Sequence, residues 1–110
     1  MTDMRTSIES LATPEVRRCA QHLGQLVRTA RLARRMTQAE LAVRSRTSPA
    51  TVMRVEKGSV EAGLGNVLLM MEQLGLLKQL NAITDPASEV LIEQQRRKRA
   101  RGTPTSDMDF

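Results

Sequence analysis

Residues 37 to 58 read TQAELAVRSRTSPATVMRVEKG, and this stretch decides the fold. Thr37 is placed to cap a helix through Gln38, Ala39, Glu40 and Leu41, because its hydroxyl oxygen accepts from a free first-turn amide and Glu40 completes a capping box. Ser48 before Pro49 marks a second start: serine is a favoured cap, and proline forfeits no hydrogen bond at the first helical position. Two short helices joined by a turn near Ser45, Arg46 and Thr47 are therefore expected.

On a wheel of about 100° per residue, Val52 and Val55 fall on one side of the second helix with Thr51 beside them. Pro49, Ala50, Met53, Arg54 and Lys57 fall on the other. One face packs and the other is presented. A presented face with Arg and Lys but no acid suits entry into a DNA major groove, and the helix's free amides and positive dipole end favour phosphate. Glu56 lies at the edge of that face.

The stretch resembles the helix-turn-helix of the XRE or phage-repressor-like family. That family's usual run of Thr-Gln, Glu-Leu-Ala, Ser, Thr, branched apolar, Arg, apolar, Glu, basic, Gly is matched by Thr37-Gln38, Glu40-Leu41-Ala42, Ser48, Thr51, Val52, Arg54, Val55, Glu56, Lys57 and Gly58. With its flanking helices the resemblance covers residues 23 to 80. It implies an all-α, five-helix, lambda-repressor-like DNA-binding domain. The family usually has Gly in the turn and an apolar residue after it, where this chain has Arg46 and Thr47; a left-handed residue other than Gly is strained.

The resemblance also implies roles. Gln38 would hold a backbone phosphate, Pro49, Ala50 and Arg54 stand where family members read bases, and Arg31 would pair with Glu56 to tie the first helix to the end of the recognition helix. The set expected at double-stranded DNA is Gln38, Ser48, Pro49, Ala50, Thr51, Met53, Arg54 and Lys57. Arg54 can bond a guanine edge in a paired fashion, worth about 1–3 kcal/mol of discrimination. Ala50 and Met53 can meet a thymine methyl, and Lys57 a phosphate. Since Pro49 and Ala50 have no hydrogen-bonding side chain, DNA shape is expected to carry part of the specificity.

The whole composition fits. A chain of 110 residues holds one small domain with tails. It is 40% hydrophobic but 1% aromatic, with Phe110 alone, so the core must be Leu, Val, Ala and Met, and base stacking on aromatic platforms is excluded. Seventeen basic against twelve acidic residues give +5 and an isoelectric point near 10.6, which points to nucleic acid or an acidic partner. Cys19 alone makes no internal disulfide. No membrane-length apolar run or signal-peptide core is present, so a cytoplasmic protein is expected. Cys19 and His22 on one helix do not make a zinc site, and Cys19 is expected half-buried on the apolar side. With no phosphate-cradling glycine loop and no nucleophile elbow, neither a cofactor nor enzymatic activity is expected.

Residues 1–13 are expected to be flexible, and residues 14–82 to form the helix-turn-helix domain with an N-terminal helical extension over 14–22. Thr13-Pro14-Glu15 starts the extension, and Gly24 leaves open one long helix or two, at a cost of about 1 kcal/mol relative to Ala. Leu64, Val67, Leu68, Met71 and Leu74 mark an amphipathic helix stopped by Gly75, and Leu76, Leu77 and Leu80 a fifth helix or turn. Apolar Leu69, Met70, Leu76 and Leu77 exceed what one small core needs, which suggests a homodimer contact. Residues 83–95 read as a helix or strand behind Asp85-Pro86, containing Val90, Leu91 and Ile92. Residues 96–110 read as a disordered basic tail whose Arg96, Arg97, Lys98, Arg99 and Arg101 are candidates for nonspecific phosphate contact, ending in a docking signal, Asp107, Met108, Asp109 and Phe110.

The functional expectation is a sequence-specific DNA-binding repressor acting as a homodimer on an operator. Gly75-Leu76-Leu77, Asp85-Pro86, the basic tail and the Asp/Phe ending are similar to those of the HipB-like antitoxins that accompany HipA-like serine/threonine kinases. That likeness implies repression of the chain's own operon and binding to a toxin kinase. The alternative is a phage- or plasmid-type repressor without a toxin partner.

Overall fold

The structure, a computed structural model, describes residues 7–102. Its elements are α1 (Ile8–Leu11), α2 (Pro14–Ala33), α3 (Gln38–Ser45), α4 (Pro49–Glu56), α5 (Leu64–Gln73), α6 (Leu77–Asn81) and α7 (Pro86–Gly102). Every element among the described residues is helical. The chain divides after Leu80 into two units.

In the first unit the helix starts follow from single side chains. Thr13 Oγ1 accepts from the Val16 amide at 3.1 Å and Pro14 opens α2. At α3 the capping box is complete: the Glu40 amide donates to Thr37 Oγ1 at 3.0 Å and the Thr37 amide to Glu40 Oε1 at 2.8 Å. Ser48 Oγ accepts from the Thr51 amide at 3.1 Å, with Pro49 as the first residue of α4. The Thr37 amide first, with smaller help from the Thr37 hydroxyl and the charge of Arg44, holds the Glu40 carboxyl below its ordinary range against the opposing effect of burial.

The helix ends share one device. The amides of Met36, Thr47, Ser59 and Leu76 reach back to the carbonyls of Arg31, Ala42, Arg54 and Met71 at 3.1, 2.9, 3.0 and 2.8 Å, the Schellman closure of α2, α3, α4 and α5. That closure needs a left-handed residue. Gly58 and Gly75 supply it after α4 and α5, with φ 86° and 73°; after α2 and α3 it is supplied by Arg35 and Arg46, with φ 56° and 59°.

The core is aliphatic and sulfurous. Val27, Leu41, Ala42, Val52 and Met70 have no exposed surface, and Met71 and Leu74 are 1% exposed. Ala30, Met36, Val55 and Ala62 complete the cluster. α3 packs on α4 and α5, and α2 packs on α4. The surplus of apolar residues expected for a dimer contact is largely absorbed here: Met70 is fully buried and Leu76 and Leu77 pack half-buried on the core, leaving Leu69 at 39% exposure.

α2 runs unbroken from the extension through Gly24. A Cβ at Gly24 would sit 2.2 Å from the Val55 carbonyl oxygen and 2.9 Å from that of Glu56. The glycine is thus the point of closest approach between α2 and the end of α4. The expectation of flexibility over residues 1–13 is corrected at Ile8–Leu11, which form α1: Ser7 Oγ caps it, and Arg17 pairs with the Glu9 carboxylate at 3.2 Å and bonds the Glu9 carbonyl. Residues 1–6 lie outside the described residues. Cys19, expected half-buried, is exposed, as is His22.

In the second unit residues 86–95 are helical, and the boundary expected at residue 96 does not exist. α7 continues through the basic run to Gly102, which corrects the expectation of a disordered tail for Arg96, Arg97, Lys98, Arg99 and Arg101. Glu, Gln, Arg and Lys are good helix formers, and Glu93 pairs one turn on with Arg96 at 2.9 Å and Arg97 at 3.2 Å. Asp85 caps the start, accepting from the Ala87 amide at 3.1 Å and from Ser88; the Ser88 hydroxyl first, then the backbone amides, holds its carboxyl below the ordinary range. The docking signal at residues 107–110 lies outside the described residues.

Candidate nucleic-acid interface

α4 is anchored inward by Val52, fully buried, and Val55, 4% exposed. Pro49, Ala50, Met53, Arg54 and Lys57 are exposed, as the wheel requires. Thr51 is not among them. It is 8% exposed, its hydroxyl lies 2.9 Å from Ser48 Oγ, and it accepts from Arg54 Nη2 at 3.2 Å. This corrects its place in the DNA-facing set: Thr51 sits behind Arg54 and orients it. Ser48 is exposed, but its Oγ serves the helix cap.

The end of α4 is fixed by a buried polar network. Arg31, 6% exposed, donates from Nε to Glu56 Oε2 at 2.6 Å and from Nη2 to Glu56 Oε1 at 3.0 Å, while its Nη1 donates to the Met36 carbonyl at 2.8 Å. Gln38 Nε2 donates to Glu56 Oε1 at 3.0 Å. The paired geometry satisfies both carboxylate oxygens, which a buried charge demands. Burial pushes the Glu56 carboxyl up, but the hydrogen bonds from Arg31 and Gln38 and the charges of Arg31 and Arg28 together outweigh it and hold the group below its ordinary range. The same hydrogen bond raises Arg31 against the opposing effect of burial.

Two consequences follow. Glu56, the one acid of α4, is turned inward and neutralised, so the presented face carries only positive charge. Gln38, expected from resemblance as a phosphate ligand, commits one amide N–H to Glu56 and so joins α3 to the same network.

Two features of the site have no counterpart in the reading of the sequence. Arg35 is left-handed, like Arg46. The signal was there in the spacing, since each arginine stands two residues ahead of a helix cap, Thr37 and Ser48. The second is the partnership of Thr51 with Arg54, which the three-residue spacing on a helix permits.

Elsewhere in this unit an open apolar groove of about 340 Å³ lies between α2 and the start of α5, lined by Val16, Cys19, Leu23, Val60 and Leu64 among others. It has no charged wall and offers nothing to a nucleic acid. Among the described residues no group of three or more His, Cys, Asp or Glu could hold a metal ion, and no helix is long and apolar enough to cross a membrane.

Two short capped helices at a tight turn, the second held from behind and showing a basic face, define a helix-turn-helix domain. Residues 22–80 match the family described as "Helix-turn-helix domain", and the chain belongs to it. It is also 30% identical over 89 residues to an uncharacterized HTH-type transcriptional regulator of Sinorhizobium fredii, the match covering 70% of this chain and 45% of that protein. The chain thus spans less than half the length of that relative. No solved structure matches it.

Proposed function

We propose that this chain is a sequence-specific DNA-binding transcriptional repressor that acts as a homodimer. The carrying observation is the acid-free exposed face of α4, with Arg54 braced by Thr51 and Glu56 drawn inward by Arg31. Membership of the helix-turn-helix family and likeness to a Sinorhizobium fredii protein named as a transcriptional regulator support the reading. In a dimer two copies of α4 would enter successive major grooves of a palindromic operator one helical turn apart. Fluorescence anisotropy with the chain's own upstream DNA and a shuffled duplex of equal length tests this. Preference for the upstream fragment at physiological salt is expected, and equal affinity for both sinks sequence-specific repression.

The finer reading is a HipB-like antitoxin that represses its own operon and binds a HipA-like kinase. The Gly75-Leu76-Leu77 stretch, the Asp85-Pro86 start and the basic run of α7 support it by resemblance. Copurification of a kinase with this chain from its native operon is the expected outcome. A chain that footprints its promoter with no kinase attached is instead a phage- or plasmid-type repressor.

A further inference from the structure

The left-handed residue that closes a helix is cheapest as glycine, which has no Cβ to crowd the following carbonyl. The domain uses glycine after α4 and α5, but not on either side of α3. There it carries Arg35 and Arg46. Neither arginine recovers the strain through a contact of its own: both are exposed, and among the described residues neither guanidinium meets a carboxylate or a hydrogen-bond acceptor. The turn around Arg46 is unfavourable in a second way, because the buried Ser45 Oγ and Thr47 Oγ1 have no hydrogen-bond partner among the described residues. Backbone held in a costly conformation with an idle charged side chain is a place to look for function.

The two arginines bracket α3, eight residues and so about 12 Å long. Each stands two residues ahead of the cap of one helix of the helix-turn-helix pair. In that motif the first helix crosses the DNA backbone and the second enters the groove by its N-terminal end, so positive charges at these two points lie beside the sugar-phosphate chain. We infer that Arg35 and Arg46 are a pair of DNA phosphate contacts, one at each end of α3. The inference rests on the DNA-binding reading proposed above and adds residues to it. It assigns the pair to affinity common to all duplexes, while base reading stays with α4.

The test measures Arg35→Gly and Arg46→Gly in the full chain, against Arg18→Gln, which removes one exposed positive charge from the α2 extension. Thermal melts and binding to upstream and shuffled duplexes are followed from low to physiological salt. Both glycine variants should melt higher than wild type yet bind both duplexes more weakly, and each should lose close to one unit from the slope of log affinity against log salt. Arg18→Gln should keep the wild-type slope. Wild-type slopes in either glycine variant, an equal loss in Arg18→Gln, or a loss confined to the upstream duplex would overturn the phosphate pair and leave the DNA-binding reading standing. Failure of the wild-type chain to bind either duplex at low salt would overturn both.

Discussion

The backbone of Gly24 lies against the carbonyl oxygen of Val55 so closely that a methyl group there would sit 2.2 Å from it. Gly24→Ala gains about 1 kcal/mol of helix propensity but must push α2 away from the end of α4, and overpacking against rigid backbone costs typically about 1–3 kcal/mol. The shift would also disturb the Arg31–Glu56 geometry. A net loss of up to about 2 kcal/mol is expected, read as a lower midpoint in urea by circular dichroism. A variant as stable as wild type would show that the approach has slack.

Arg31→Met leaves Glu56 buried with only Gln38 as partner. Removing one member of a buried pair costs about 3–5 kcal/mol. The double variant Arg31→Met, Glu56→Met should recover much of that loss, since no orphaned charge remains. Additive losses in denaturation curves would mean the two residues act independently.

Acid should weaken the fold through the same carboxylate. Because Glu56 is held below its ordinary value in the folded state, the unfolded chain takes up its proton first. The stability it contributes is whole above the ordinary glutamate value of the unfolded chain and is lost as pH falls through the lower folded one. Glu40 shifts in the same direction and adds to the slope. Melting temperatures taken downward from about pH 6 should therefore drop more steeply for wild type than for Glu56→Gln; parallel curves would exclude Glu56 as the source.

Arg54→Ala should cost about 1–3 kcal/mol on the operator and much less on random duplex. Thr51→Val keeps the valine-like shape but frees Arg54, so it should reduce discrimination by a smaller amount along with about 1 kcal/mol of stability. Equal losses on both duplexes in anisotropy titrations would remove Arg54 from base reading.

Truncation after Gln95 removes Arg96, Arg97, Lys98, Arg99 and Arg101 from α7. If that helix touches phosphate, the salt slope falls by about 0.9 for each phosphate no longer neutralised. An unchanged slope would remove the basic run of α7 from the phosphate contacts.

What the residues disclose in order is local. Thr13, Thr37, Ser48 and Asp85 act on amides two or three residues away, so their caps are visible in the sequence itself. The buried pairing of Arg31 with Glu56 joins distant segments and was legible only through resemblance. Gly24 read as a weak point because the carbonyl that demands it arrives from α4. Thr51 lay beside the valines on the wheel, yet counting it with the DNA-facing set overlooked that its hydroxyl has two partners at helical spacing. The charge of the α7 run points to disorder, while its helix propensity and the Glu93 pairs decide its conformation.

Methionine supplies Met36, Met70 and Met71 at the centre, where most domains would place a ring. An unbranched thioether bends around its neighbours, so a swap of leucine for methionine or a small change of volume nearby should be absorbed at under about 1.5 kcal/mol. With no tryptophan or tyrosine anywhere, unfolding is silent in intrinsic fluorescence. The same pliancy lets the interior change its make-up without moving the surface that α4 presents.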